Sequence, residues 1–144
     1  MSIKSVNLIA QVKKTITLQG DKVEADLVLP RALQKTELSF LAYLHFDGIF
    51  GDTHCVNYEV YLKAIDSALP SVLAGGLSFY GNRPQSDINS DGLHQVLNIS
   101  KLWSRLVNTS TTAFKLILLP QRTGNKSGQA IINHIYLTLV PPQR

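Results

Sequence analysis

Apolar and polar residues alternate with a period of two along most of the chain, the pleat of half-buried β-strands. Val23, Ala25, Leu27 and Leu29 are separated by Glu24, Asp26 and Val28, and Val56, Tyr58, Val60 and Leu62 by Asn57, Glu59 and Tyr61. Residues 40–46 are apolar on both phases, as a central strand covered on both faces requires, and residues 131–140 follow the same pattern. Weaker strands are predicted at 6–12, 15–18, 72–80, 93–99 and 113–119. About nine short strands at this rhythm predict an all-β fold, an antiparallel β-sandwich of jelly-roll-like type.

The breaks fit that prediction. Gln19-Gly20-Asp21 reads as a hairpin turn between the second and third strands, and residues 47–52, bracketed by glycines and acids, read as a loop. Residues 81–92 form a longer polar excursion, and 123–128 a turn between the last two strands. One stretch departs from period two. Ser100 precedes Leu102, Trp103 and Leu106 at helical spacing, which predicts one short helix near 100–106 behind a serine cap. Trp103, bordered by Leu102, Leu106 and Ile99, is expected in the core. The adjacent glycines Gly75 and Gly76 within a strand pattern predict a bulge or a close approach of another segment.

At 144 residues the chain has the length of one domain spanning 1–144, with room for a core that needs no metal or disulfide staple. With 44% hydrophobic and 17% charged residues it is globular. Apolar runs such as Leu116-Ile117-Leu118-Leu119 are far shorter than the ~20 residues that span a bilayer, so no membrane segment is expected. Met1 to Lys4 lacks the apolar core of a signal peptide, and the compartment stays open. The net charge is +4, but residues 92–144 hold six bases and no acid. Those bases are scattered without interleaved aromatics, the distribution of a solvated face, and no nucleic-acid partner is expected.

Candidate chemistry is sparse. The four histidines, His45, His54, His94 and His134, form no ligand pair at sequence spacing, so no cofactor and no bound copper is expected. The dipeptide His54-Cys55 is the most reactive, since a thiolate beside an imidazole suits a soft metal or nucleophilic attack. Neighbours on a strand point to opposite faces, however, which favours a structural thiol. A single cysteine excludes an internal disulfide. No G-x-S-x-G or phosphate-binding loop is present. Asn98, Asn108 and Asn125 begin N-x-S sequons, which chance alone produces in a chain rich in serine and threonine.

Three stretches carry a family resemblance. They are Leu44-His45-Phe46-Asp47-Gly48-Ile49 followed by Val56-Asn57-Tyr58-Glu59-Val60-Tyr61-Leu62; Leu73-Ala74-Gly75-Gly76-Leu77-Ser78-Phe79-Tyr80-Gly81; and the end of the chain, from Leu93 through Leu106 and Phe114 to Leu137-Thr138-Leu139-Val140-Pro141. From about residue 38 onward the chain resembles the C-terminal β-sandwich domain of type 3 copper proteins: polyphenol oxidases, tyrosinases and molluscan haemocyanins. The resemblance implies a non-enzymatic accessory domain that shields or stabilises a copper-oxidase catalytic partner, because the six histidines and helical bundle of the copper domain are missing here. The family's Cys-x-x-Cys pair is missing too, which argues against copper delivery.

In that family a residue of this domain often plugs the substrate cavity. A plug must be apolar and sit on an exposed, rigidly held loop tip; Ile49 and Phe50, between Gly48 and Gly51, meet that description, unless Phe50 folds back onto the sandwich. Two other readings stay open. A lectin-like carbohydrate-binding jelly roll would use Trp103, Tyr80 and residues 84–91, and a self-associating structural subunit would form homo-oligomers through strand edges.

Overall fold

The structure, a computed structural model, describes residues 7–12, 14–51, 56–65, 69–79, 92–121 and 128–142. Among them nine strands appear where period-two patterning places them: β1 (Asn7–Gln11), β2 (Ile16–Leu18), β3 (Val23–Val28), β4 (Leu41–Gly51), β5 (Tyr58–Ala64), β6 (Val72–Leu77), β7 (Leu93–Asn98), β8 (Ala113–Pro120) and β9 (Ala130–Val140). Every pairing is antiparallel, in the order β6-β5-β8-β3-β1-β9-β4-β7, with β2 also on β9. The path turns over at β3–β1, where Gln11 opposite Val28 is the one register pair. Its two halves therefore face each other as layers. Leu27, Leu62 and Phe114 of one layer and Leu137 of the other pack into one core.

The two ends of the path, β6 and β7, lie side by side. Gln95 on β7 accepts from Ser78 N–H just past β6, and its amide donates to Ser78 O. Gly75, with φ +154, sits at a register shift in the β5–β6 pairing, and a Cβ there would lie 2.9 Å from Leu97 Cδ2. The glycine pair thus marks both a bulge and a close approach.

Two expected turns are corrected. Residues 47–51 form no loop: β4 runs on to Gly51, paired with β9 through Phe50 opposite Ile131 and Gly51 opposite Ala130. Gly48, at φ +66, supplies the reason. The inward phase runs Ala42, Leu44, Phe46 and then Ile49, slipping by one residue at Asp47-Gly48. What reads as a glycine-bracketed loop is a bulge inside a long strand. Gln19-Gly20-Asp21 is a turn but not a hairpin, because β2 pairs with β9 and β3 with β8. It carries the chain from one layer to the other. Residues 80–91 and 122–127, which include most of the polar excursion and of the last turn, lie outside the described residues.

The predicted helix is present as α1 (Ser100–Leu106). Trp103 is buried, 1% exposed, with its ring centroid 5.7 Å from that of Phe114. The serine does not cap the helix. Ser100 Oγ accepts from Ala42 N–H (3.0 Å), and Asn98 Oδ1 takes the Ser100 N–H (3.0 Å). A 3-10 helix at Lys35–Ser39 carries no apolar periodicity and was not legible in the pattern.

Tyr58 is the buried polar anchor of the inter-layer turn. At 0% exposure its hydroxyl accepts from Gly20 N–H (2.7 Å) and donates to Asp21 O (3.0 Å). Removing the hydroxyl leaves turn groups without their partner, at a cost of about 1–2 kcal/mol. Tyr58→Phe is therefore expected to lower the urea midpoint with an unchanged denaturant slope. A midpoint equal to wild type would show that the turn holds without this anchor.

Candidate functional site: a histidine-tyrosine sheet face

The outer faces of the two layers differ in chemistry. On the β3-β8-β5 layer, Glu24 and Asp26 pair with Lys22 and Lys115 at 3.1–3.7 Å. These side chains are 39–57% exposed, and such solvent-screened pairs contribute little to stability. This is a solvated, charge-balanced face.

The β7-β4-β9-β1 layer instead presents rings. Val96, His45, Tyr136 and Gln11 stand directly opposite one another across the four strands, because the β4–β7, β4–β9 and β1–β9 registers coincide there. His45 stacks on Tyr136, with ring centroids 4.5 Å apart and planes 4° from parallel. His134, two residues along β9, tilts against the same tyrosine at 4.7 Å. Its Nε2 lies 2.9 Å from Gln11 Oε1. On the other side His45 Nδ1 lies 3.2 Å from His94 Nε2, and His45 Nε2 lies 2.9 Å from Thr138 Oγ1. The regular register of His45 opposite Val96 and Phe46 opposite Gln95 sets His94, two residues from Val96, on the same face and diagonally across from His45.

The electrostatics follow from this packing. Burial, followed by the nearby His94, holds the His45 pKa below the ordinary imidazole value, while Asp47 opposes the shift. Burial, followed by Asp47, raises Tyr136 above the ordinary phenol value. At neutral pH the stacked pair is therefore an uncharged imidazole on a protonated phenol, suited to contact surfaces as well as to hydrogen bonding.

The residues singled out from the sequence fall elsewhere. Ile49 (0% exposed) and Phe50 (7%) belong to the interior of β4, so neither forms an exposed tip. His54 and Cys55 lie outside the described residues, as do Asn125, Tyr80 and residues 84–91. Asn98 is exposed at the end of β7. Asn108 is exposed after α1, with Oδ1 2.7 Å from Ser110 N and 3.4 Å from Thr111 Oγ1. Trp103 is in the core, as expected, and offers no ring to solvent. The sequence held no histidine pair at ligand spacing, but the fold makes one from His45 and His94, 49 residues apart. Residues 40–46, read as covered on both faces, are fully buried on one phase only, so neither the outward phase of His45 nor the partner of its strand was legible. Among the described residues no group of three or more His, Cys, Asp or Glu gathers as a metal cage, and no helix is long and apolar enough to cross a membrane.

The fold is shared with solved structures of known type. A latent aurone synthase (polyphenol oxidase) matches over 90% of this chain and 26% of its own, at 14% identity and a TM-score of 0.59. A latent apple tyrosinase matches over 85% and 27%, at 18% identity and 0.51. The chain thus spans about a quarter of the length of these oxidases, and it has the fold of their C-terminal domain, as the sequence resemblance implies. A xylan-binding module (CBM15) matches over 99% of this chain and 87% of its own, at 11% identity and 0.57. No curated protein sequence matches the chain. By its own sequence, the chain belongs to the family described as "Domain of unknown function (DUF7868)", whose model matches residues 4–138.

Proposed function

We propose that this chain is a non-enzymatic accessory domain that docks on a copper-oxidase-type catalytic domain and shields or stabilises it, and that the histidine-tyrosine face is the docking surface. The observation that carries the reading is the shared fold with only the appended quarter of two oxidases described as latent. The face supports it in kind. Its rings are ordered by their own contacts, so little side-chain freedom is lost when a partner covers them. The opposite outer face is charged and already internally paired.

Titrating the chain onto the copper domain of a polyphenol oxidase expressed without its own appended domain tests this. The expected result is a saturable fall in turnover or a raised unfolding midpoint of the copper domain. Tyr136→Ala should weaken the effect at least tenfold, about 1.4 kcal/mol. Absence of any complex, or a complex indifferent to Tyr136, would contradict the reading.

A second reading, carbohydrate binding, is supported by the near-complete overlap with the xylan-binding module. A sugar platform needs ring faces open to solvent. Here His45 and Tyr136 turn their faces to each other, and Trp103 is buried. That packing supports the docking reading over the sugar reading.

A further inference from the structure

We infer that His45 and His94 form a two-histidine binding site for a borderline divalent cation, zinc or nickel, on the outer face of the β7-β4-β9-β1 layer. The inference does not rest on the docking reading. Two imidazole nitrogens that share one ion at ~2.0–2.1 Å in tetrahedral geometry sit roughly 3.3 Å apart. His45 Nδ1 and His94 Nε2 are 3.2 Å apart, so the pair is spaced for chelation without backbone movement.

The supporting contacts choose the right atoms. A metal-binding imidazole needs its second nitrogen held as a donor to an oxygen, which fixes the tautomer and directs the lone pair at the ion. Thr138 Oγ1 stands 2.9 Å from His45 Nε2 and is buried, while Tyr136 stacks on the ring and limits its rotation. With Nε2–H donating to Thr138, the Nδ1 lone pair faces His94. In the metal-free pair, His94 Nε2–H donates to that lone pair. On binding, His94 carries its proton on Nδ1 instead, and both lone pairs meet the cation. Atoms balance with no proton lost beyond this tautomer exchange.

His94 is exposed, so the remaining coordination positions open to water or to a ligand from another molecule. Asp47 is not counted as a ligand, because among the described residues no third His, Cys, Asp or Glu gathers with the pair to hold an ion. Nitrogen ligands of this type suit zinc, nickel and copper rather than magnesium or calcium. The site is open and two-pronged, not a closed structural cage.

Isothermal titration of the full chain with zinc, and separately with nickel, tests the site. One cation per chain is expected. His94→Ala, a change at an exposed position, should weaken binding at least tenfold, and Thr138→Val should weaken it by a smaller factor while leaving both ligands in place. The double variant His54→Ala/Cys55→Ser should bind as wild type does. Long-range proton–nitrogen spectra should show zinc shifting His45 Nδ1 and His94 Nε2 together. No binding at millimolar zinc, binding indifferent to His94, or binding that disappears with His54 and Cys55 would each overturn the inference. Asp26→Ala, on the opposite outer face and 56% exposed, provides a folded control and should leave affinity unchanged.

Discussion

Trp103→Ala is expected to destabilise the chain by about 3–5 kcal/mol, a large share of a small domain's net stability. The indole closes the core at one end of the sandwich, against Phe114, with Leu27, Leu62, Ile99 and Leu137 around it. It also makes a buried polar contact that alanine cannot replace: Nε1–H donates to Glu37 O at 2.8 Å. Truncation therefore opens a cavity and removes one of the two donors to the Glu37 carbonyl, which keeps only Phe40 N–H (3.2 Å). The measurement is the denaturant midpoint, with tryptophan emission of the wild type as a cheap companion. A buried indole emits to the blue and resists acrylamide quenching. A variant within 1 kcal/mol of wild type, or a red-shifted and readily quenched Trp103, would show that α1 does not seal the core.

The second large effect is expected at Glu37. This carboxylate is buried, 5% exposed, yet its oxygens accept from both Arg31 Nη1 (2.8 Å) and Arg31 Nη2 (2.7 Å), and from Gln34 N–H (2.8 Å). The paired Arg31 hydrogen bonds hold its pKa below the ordinary carboxylate value, with Gln34 N–H assisting and burial opposing. The side chain thereby orders residues 31–37, whose backbone then receives Trp103. Glu37→Ala is expected to cost about 2–3 kcal/mol, the range for hydrogen bonds to a charged group. The cost stays below that for a fully buried ion pair because Arg31 is 48% exposed and remains partly hydrated.

The same group gives a pH dependence of defined sign. Because the folded pKa lies below the unfolded value, the unfolded chain binds more protons between the two. Stability from Glu37 is fully present above about pH 4.3, the ordinary value, and is lost as pH falls through the folded pKa. Glu37→Gln should flatten this part of the acid limb. An acid limb identical in the two proteins would place the titrating group elsewhere.

How much of this could be read in advance differs by element. β3 and β5 alternate strictly, and their inward residues Ala25, Leu27, Val60 and Leu62 are the buried ones. The helix was legible because Leu102, Trp103 and Leu106 recur at helical spacing, although of the three only Trp103 is fully buried. Residues 47–51 were not, since glycine signals a turn and a bulge with the same letter; only the pairing with β9 distinguishes them. Glu37 gave no signal because its burial depends on Arg31 folding back across six residues. The histidine-tyrosine face was hidden for a topological reason. Strand parity sets which side a residue faces, but His45, His94 and Tyr136 meet only through the order β7-β4-β9. That order is a property of the whole sheet and of no local window.

Chemical-shift mapping tests the central claim most directly. The isotope-labelled chain is titrated first with a polyphenol-oxidase copper domain lacking its appended unit, then with a xylan oligosaccharide. The account predicts saturable shifts from the copper domain that cluster at His45, His94, Val96 and Tyr136 and spare Glu24, Asp26 and Lys115 on the opposite face. Shifts from the sugar but none from the copper domain, or shifts centred on the charged face, would contradict it.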